Sequence, residues 1–343
     1  MRGVRSVVLA LAATASVARG QWMPQSSGTT AELRGVSAVS ANVAWASGSR
    51  GTVLRTTDGG TTWRAVAVPG ADSLDFRDIE AFDSLRAVAL SIGNGRASRI
   101  YATQDGGRTW ALRFTNPDSA AVFDCNAFGD ADHGIAVSDP VRGRFVLLAT
   151  SNGGRTWAPL DPAPEAREGE GAFAASGTCL VAGGTHAAWL ATAFGARVLR
   201  SRDRGRSWTA AQTPLASGAA PKGVFSVAFR DERRGVAVGG DYERPRDSTA
   251  TAAFTIDGGA TWLRAEVPPK GYRSAAAWLP GTRPLVVAVG TSGSDYSADG
   301  GRSWTRLDET SLNAIDFAPD GAGWAVGPKG AIVRWQRAAL RGW

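Results

Sequence analysis

A short pattern recurs six times along this chain, and no other feature constrains its fold as tightly. The first copy reads Thr56-x-Asp58-x-Gly60-x-Thr62-Trp63. The others place Asp105 before Trp110, Asn152 before Trp157, Asp203 before Trp208, Asp257 before Trp262 and Asp299 before Trp304, with Ser or Thr at the flanking positions. Successive tryptophans are 47, 47, 51, 54 and 42 residues apart. A period of this size, with a fixed turn signal and a fixed aromatic, means one four-stranded sheet per repeat and hence an all-β propeller.

Alternating apolar runs separated by Gly- and Asp-rich turns supply the strands of each unit. In the first repeat, 33–40 reads as the inner strand, 42–48 as the second, 52–57 as the third and 62–68 as the outer one. Inner strands then begin near Phe76, Phe123, Ala172, Val224 and Arg273, and CLVAGG (179–184) reads as the second strand of the fourth unit. A seventh unit from Leu312 has three strands and no aspartate turn. Trp22 matches the tryptophan that opens each outer strand, so the N-terminal segment is expected to complete the last blade. The expected units are 31–70, 71–117, 118–163, 164–216, 217–269, 270–309, and 310–337 together with 21–30. Closing the ring removes sheet edges that would otherwise invite aggregation.

Each aspartate has a structural task. Its carboxylate accepts backbone N–H groups within a tight turn, and the glycine supplies the backbone freedom the turn needs. Asn152 can do the same, so the third copy is intact. The tryptophan packs within the blade.

Residues 1–20 carry Arg2, Arg5, an apolar run and small residues, which is the pattern of a secretory signal. The remaining chain of about 323 residues is expected to be exported, to the periplasm or beyond, and to be a monomer. Its formal charge falls from +7 to about +4 when Arg2, Arg5 and Arg19 are removed. Lys222, Lys270 and Lys329 are the only lysines among 38 basic residues. Base composition of the genome explains that bias, as does an arginine-lined face for an anionic partner. No nucleic-acid-binding module is visible. Cys125 and Cys179 fall in neighbouring units at different strand positions, which leaves their pairing open even in an oxidising compartment. With His133 and His186 as the only histidines, no metal or other cofactor is expected.

The six turns resemble the Asp-box (BNR) repeats of sialidases and sortilin-like receptors. More closely, Trp22 followed by SSGTTAELRGVSAV and WASGSRGTVLRTTDGGTTW resembles the photosystem II stability and assembly factor family. That resemblance implies a seven-bladed, non-enzymatic scaffold that binds a newly made membrane protein in a photosynthetic pathway. It also extends to exported bacterial relatives labelled as oxidoreductases.

Loops that join second to third strands lie on the face opposite the aspartate turns, together with loops that lead into inner strands. They are minimal in the first and seventh units and long in the second to fifth. Long loops on a rigid scaffold are where binding usually resides. The expected binding face therefore uses Arg96, Asp139, Arg142, Arg144, His186, Trp189, Asp241, Tyr242, Glu243, Arg244 and Arg246, with Arg77, Asp78, Asp124, Tyr272 and Arg273 at the channel mouth. Aromatic and arginine content suits a protein-recognition surface.

Enzymatic readings have less support. The sialidase Arg-Ile-Pro element is absent, and Tyr242 and Glu243 are adjacent, so on a strand they face opposite ways. Asp78, Glu80 and Asp124 offer carboxylates for glycoside hydrolysis, a carbohydrate-active alternative whose geometry sequence cannot set. The Gly93–Ser98 run lacks the third glycine and the helix of a dinucleotide loop.

Overall fold

The computed structural model describes residues 21–336, so the expected signal segment lies outside the described residues. Seven four-stranded antiparallel sheets make up the ring. Blade 1 illustrates the unit, with Leu33–Ala38 innermost, then Ala44–Gly48, Val53–Thr56 and the short outer strand Arg64–Ala65. The second strand is buried along its whole length because a neighbouring blade covers each of its faces.

The ring closes as the sequence implies. Trp22–Gln25 pairs antiparallel with Ile332–Trp335 and forms the outer strand of blade 7, with Trp22 opposite Trp335. Gln25 reinforces the joint between blades 7 and 1. Its Oε1 accepts hydrogen bonds from the indoles of Trp63 and Trp324, both at 3.0 Å.

The aspartate turns are nearly identical. In the first, Asp58 Oδ1 accepts the Thr62 N–H at 2.9 Å and Oδ2 accepts the Thr62 hydroxyl at 2.6 Å. Thr56 Oγ1 accepts the Gly60 N–H, and Gly60 sits at φ +81°, a region that costs glycine little. These bonds hold the Asp58 carboxyl at about 2, the Thr62 hydroxyl contributing most. Asn152 substitutes cleanly, accepting the Thr156 N–H at 3.0 Å and donating to its hydroxyl at 2.8 Å.

Blade 4 differs from expectation by one strand. CLVAGG does not form its second strand: Leu180–Gly183 is the inner strand and Ala187–Ala191 the second. The alternating segment from Ala172, which resembles an inner strand in sequence, instead leaves the sheet and crosses the mouth of the ring. Cys125 of blade 3 and Cys179 at the end of that segment form a disulfide, with Cα atoms 6.1 Å apart. Different strand positions did not prevent pairing because the displaced segment brings Cys179 against the inner strand of blade 3.

Candidate functional site

The crossing segment, residues 172–178, organises the loop face. The Ala172 N–H donates to Asp139 Oδ1 at 2.9 Å in blade 3. The Ala174 carbonyl accepts from Arg77 at 3.2 Å in blade 2, and the Ala175 carbonyl from Arg34 at 3.4 Å in blade 1. Ser176 Oγ donates to the Ser274 carbonyl in blade 6, and Thr178 bonds Ser226 in blade 5, at 2.9 and 2.7 Å. Five blades thus hold one strap across the mouth. Upstream, Glu170 is buried against Arg197, whose Nε donates to Oε1 at 2.8 Å. Burial pushes the Glu170 carboxyl up, but the hydrogen bonds from Arg197, Arg167 and Thr192 outweigh it and hold it below the usual carboxylate range.

Beneath the strap lies a central channel of about 320 Å³, walled by inner strands of all seven blades. Asp78, Glu80 and Asp316 line it. Asp78 accepts the Asn126 N–H at 2.6 Å, and Asp316 accepts the Ala38 N–H at 2.8 Å, so each ties one blade to the next. Burial pushes Asp78 up to about 7 and Asp316 to about 6. Glu80 is also held well above the usual carboxylate range, by burial first and then by the two other carboxylates.

Above the strap is an aromatic cluster. Phe173 stacks on Phe225, centroids 3.6 Å apart. Tyr242 stands edge-on to both, and Tyr272 edge-on to Phe225 at 4.7 Å. Tyr242 is 47% exposed although its neighbours Phe225 and Tyr272 are buried. Beside the cluster, Arg34 is drawn down in pKa by burial and then by the adjacent charge of Arg77, and its Nε is buried without a partner. Asp75 and Glu32 offset these guanidinium groups only in part, at 2.8 and 3.3 Å. The mouth therefore presents an apolar shelf next to two neighbouring cations, which is an arrangement for an extended chain bearing an apolar side chain and a carboxylate.

The structure brings Arg77, Tyr242 and Tyr272 together here and places Asp78 below the strap. Asp124 is buried, and its carboxyl is pushed well up by burial and by Asp139. Asp241 is a loop anchor that accepts the Glu243 N–H at 3.0 Å. Glu243, Arg244 and Arg246 are exposed at the edge of the blade 5 loop. Arg96, Arg142 and Arg144 are exposed on blades 2 and 3, with Arg144 bound to Glu165 at 2.5 Å.

Three expected members do not belong to this surface. His186 lies between the first two strands of blade 4 and so faces the aspartate-turn side, a consequence of the shifted strand assignment. Trp189 is 1% exposed and donates to the Gly258 carbonyl at 2.8 Å, making it core. Arg273 is fully buried in an ion pair with Asp295, because its side chain turns into blade 6 rather than toward the channel. Sequence reasoning also missed Arg34, Phe173 and Phe225. The strap brings these together, and no local spacing signals it.

The fold and mouth define a seven-bladed propeller with a strapped, aromatic loop face. Among solved structures it is similar to YCF48 from Cyanidioschyzon merolae, at 17% identity and TM-score 0.65, covering 93% of this chain and 100% of that one. It is also similar to YCF48 bound to D1 peptide, at 17% identity and TM-score 0.64 over 92% and 97% of the two chains. A streptogramin B lyase structure aligns comparably, at 15% identity and TM-score 0.66 over 92% and 97%. These likenesses show the propeller fold. No protein-family model matches the chain, and no curated protein matches it significantly.

Proposed function

We propose that this protein is an exported binding scaffold that captures an extended segment of a protein partner, at or near a membrane, on its strapped loop face. The observation that carries this reading is the pairing of the exposed Tyr242 ring, backed by Phe173 and Phe225, with the neighbouring guanidinium groups of Arg34 and Arg77. A rigid strap fixed by five blades holds both parts in place, which lowers the entropy cost of binding. The similar YCF48 structure, bound to D1 peptide, supports a polypeptide as ligand, and the apolar N-terminal segment and the Cys125–Cys179 disulfide support export. A carbohydrate-active reading would draw on Asp78 and Glu80, but the strap covers both from the loop face and Asp78 is engaged with backbone.

The test is co-purification from solubilised host membranes with tagged wild type and with a Tyr242→Ala/Arg77→Ala variant. The expected result is one protein captured near stoichiometry by the wild type. A peptide mapped from that protein should bind the wild type directly and bind the variant at least about tenfold more weakly. Equal capture by the variant, or no enriched protein, overturns the reading.

A further inference from the structure

Each joint between blades is packed, on the aspartate-turn side, by three side chains. One ends the inner strand of the later blade, one comes from the second strand of the earlier blade, and one is the outer-strand tryptophan of the later blade. Six of the seven joints place at least two aromatic rings there. The pairs are Trp45 with Trp110, Phe128 with Trp157, Phe229 with Trp262, Trp278 with Trp304, Phe317 with Trp22, and Trp324 with Trp63. The joint between blades 3 and 4 is the exception. Its three positions hold Ala182, Ile135 and Trp208. Registers confirm the equivalence: Ala182 pairs with Ala188 as Phe128 pairs with Gly134 and Phe229 with Gly235.

Where the second ring is missing there is a cavity of about 320 Å³, the low end of the range for small-ligand sites. Ala127, Ile135, Leu160 and Ala182 make its walls apolar, while Arg204 and Arg206 stand at its rim. Arg204 is fixed by donating Nε to the Thr185 carbonyl at 2.7 Å, which leaves its terminal nitrogens free. The Arg206 side chain makes no hydrogen bond or ion pair. Two of the nearby acids are already engaged: Asp130 binds His133 at 2.9 Å, and Asp203 accepts from Ser201 and Ser207 in its own turn, while the Glu232 carboxylate stands beside Gly184, another lining residue. His186, at the same rim, bonds Thr185.

We infer that this cavity binds a small aromatic acid, its ring seated against Ile135, Leu160 and Ala182 where other joints hold a side-chain ring, and its carboxylate on Arg204 and Arg206. The site lies on the face opposite the strap, so it stands apart from the capture of a polypeptide. Neither half of the ligand is dispensable, because an apolar wall alone does not orient it and two arginines at the rim alone do not desolvate it.

The experiment is calorimetric titration of the full chain with 2-naphthoate, with 2-naphthalenemethanol as the uncharged comparison. The wild type should bind one 2-naphthoate with a Kd on the order of 0.1 mM. An Arg204→Ala/Arg206→Ala variant should bind at least about tenfold more weakly, as should the alcohol on the wild type. Ala182→Phe, which installs the ring that blades 3 and 5 carry, should abolish binding. Absence of binding by the wild type, equal affinity for the alcohol, or undiminished binding by either variant overturns the inference. Should Ala182→Phe fail to fold, the arginine variant and the alcohol decide it alone.

Discussion

Trp22 and Trp335, from opposite ends of the described chain, meet edge to face with ring centroids 5.1 Å apart. They occupy the first position of the register that joins the N-terminal strand to blade 7. That contact makes the propeller a closed object, since each blade then buries both faces against neighbours and the sheets keep only short outer edges such as Arg64–Ala65.

Removing residues 1–30 should therefore cost more than the four-residue strand suggests. The truncation exposes the edge at Ile332–Trp335 and deprives Trp63 and Trp324 of their shared acceptor on Gln25. Thermal unfolding should fall by 10 °C or more, on the order of several kcal/mol. Unchanged melting of the truncated chain would refute closure as a source of stability.

The disulfide ties the strap to blade 3 across a separation of 54 residues. By loop-closure entropy, losing it should cost about 4 kcal/mol. A Cys125→Ser/Cys179→Ser variant should melt at lower temperature than the oxidised wild type. Proteolysis should open first at 172–178, where the strap is then held only by its hydrogen bonds and the stacking of Phe173 on Phe225. Mass mapping of the early fragments reads this directly.

The channel carboxyls give the stability an unusual pH dependence. Asp78 and Asp316 are raised, so the folded state holds protons that the unfolded chain releases near pH 4. Stability from this source is full below about pH 4 and declines as pH rises through about 6 to 7. The turn aspartates act oppositely. Asp58, Asp105 and Asp257 are held at about 2, so their contribution is present above pH 4 and lost as pH falls toward 2. Melting temperature should thus peak near pH 4–5 and decline toward pH 8. Asp78→Asn keeps an acceptor for the Asn126 N–H and should flatten that decline. A wild-type melting temperature still rising between pH 5 and 8, or an unaltered slope in the variant, would contradict it.

Tyr242→Ala should leave the fold intact, because the ring is half exposed and its removal leaves Phe173 stacked on Phe225. Its melting temperature should lie within about 2 °C of wild type. Partner binding should fall by at least about tenfold. Loss of binding without loss of stability is the signature expected of a recognition residue.

Much of this architecture is legible in the linear chain because a propeller repeats one local solution. The aspartate turn depends on bonds no more than four residues apart, such as Thr62 to Asp58, so Asp, Gly and Ser/Thr at fixed spacing specify it wherever they occur. Seven blades, the order of strands in all of them but the fourth, and the partnership of Trp22 with the last blade follow from that recurrence and its one incomplete copy. The loop face was readable only as a set of long loops, and Tyr242, Tyr272 and Arg77 were found there. His186 and Trp189 were misplaced because alternation shows which residues share a face of a strand without showing which strand of the blade they occupy, and Arg273 because it does not show which way a side chain turns where an inner strand begins.

What tertiary structure alone decided is the strap and its consequences. Phe173, Phe225 and Arg34 meet, and Cys125 finds Cys179, only because residues 172–178 leave their sheet and cross the ring. The interactions that hold the segment there come from blades 1, 2, 3, 5 and 6. The missing ring between blades 3 and 4 is of the same kind. Ala182, Ile135 and Trp208 are unremarkable singly, and they leave a cavity only because three separate strands bring them to one joint. Local turn chemistry is written in short-range spacing, whereas sites assembled across blades depend on packing between segments far apart in sequence.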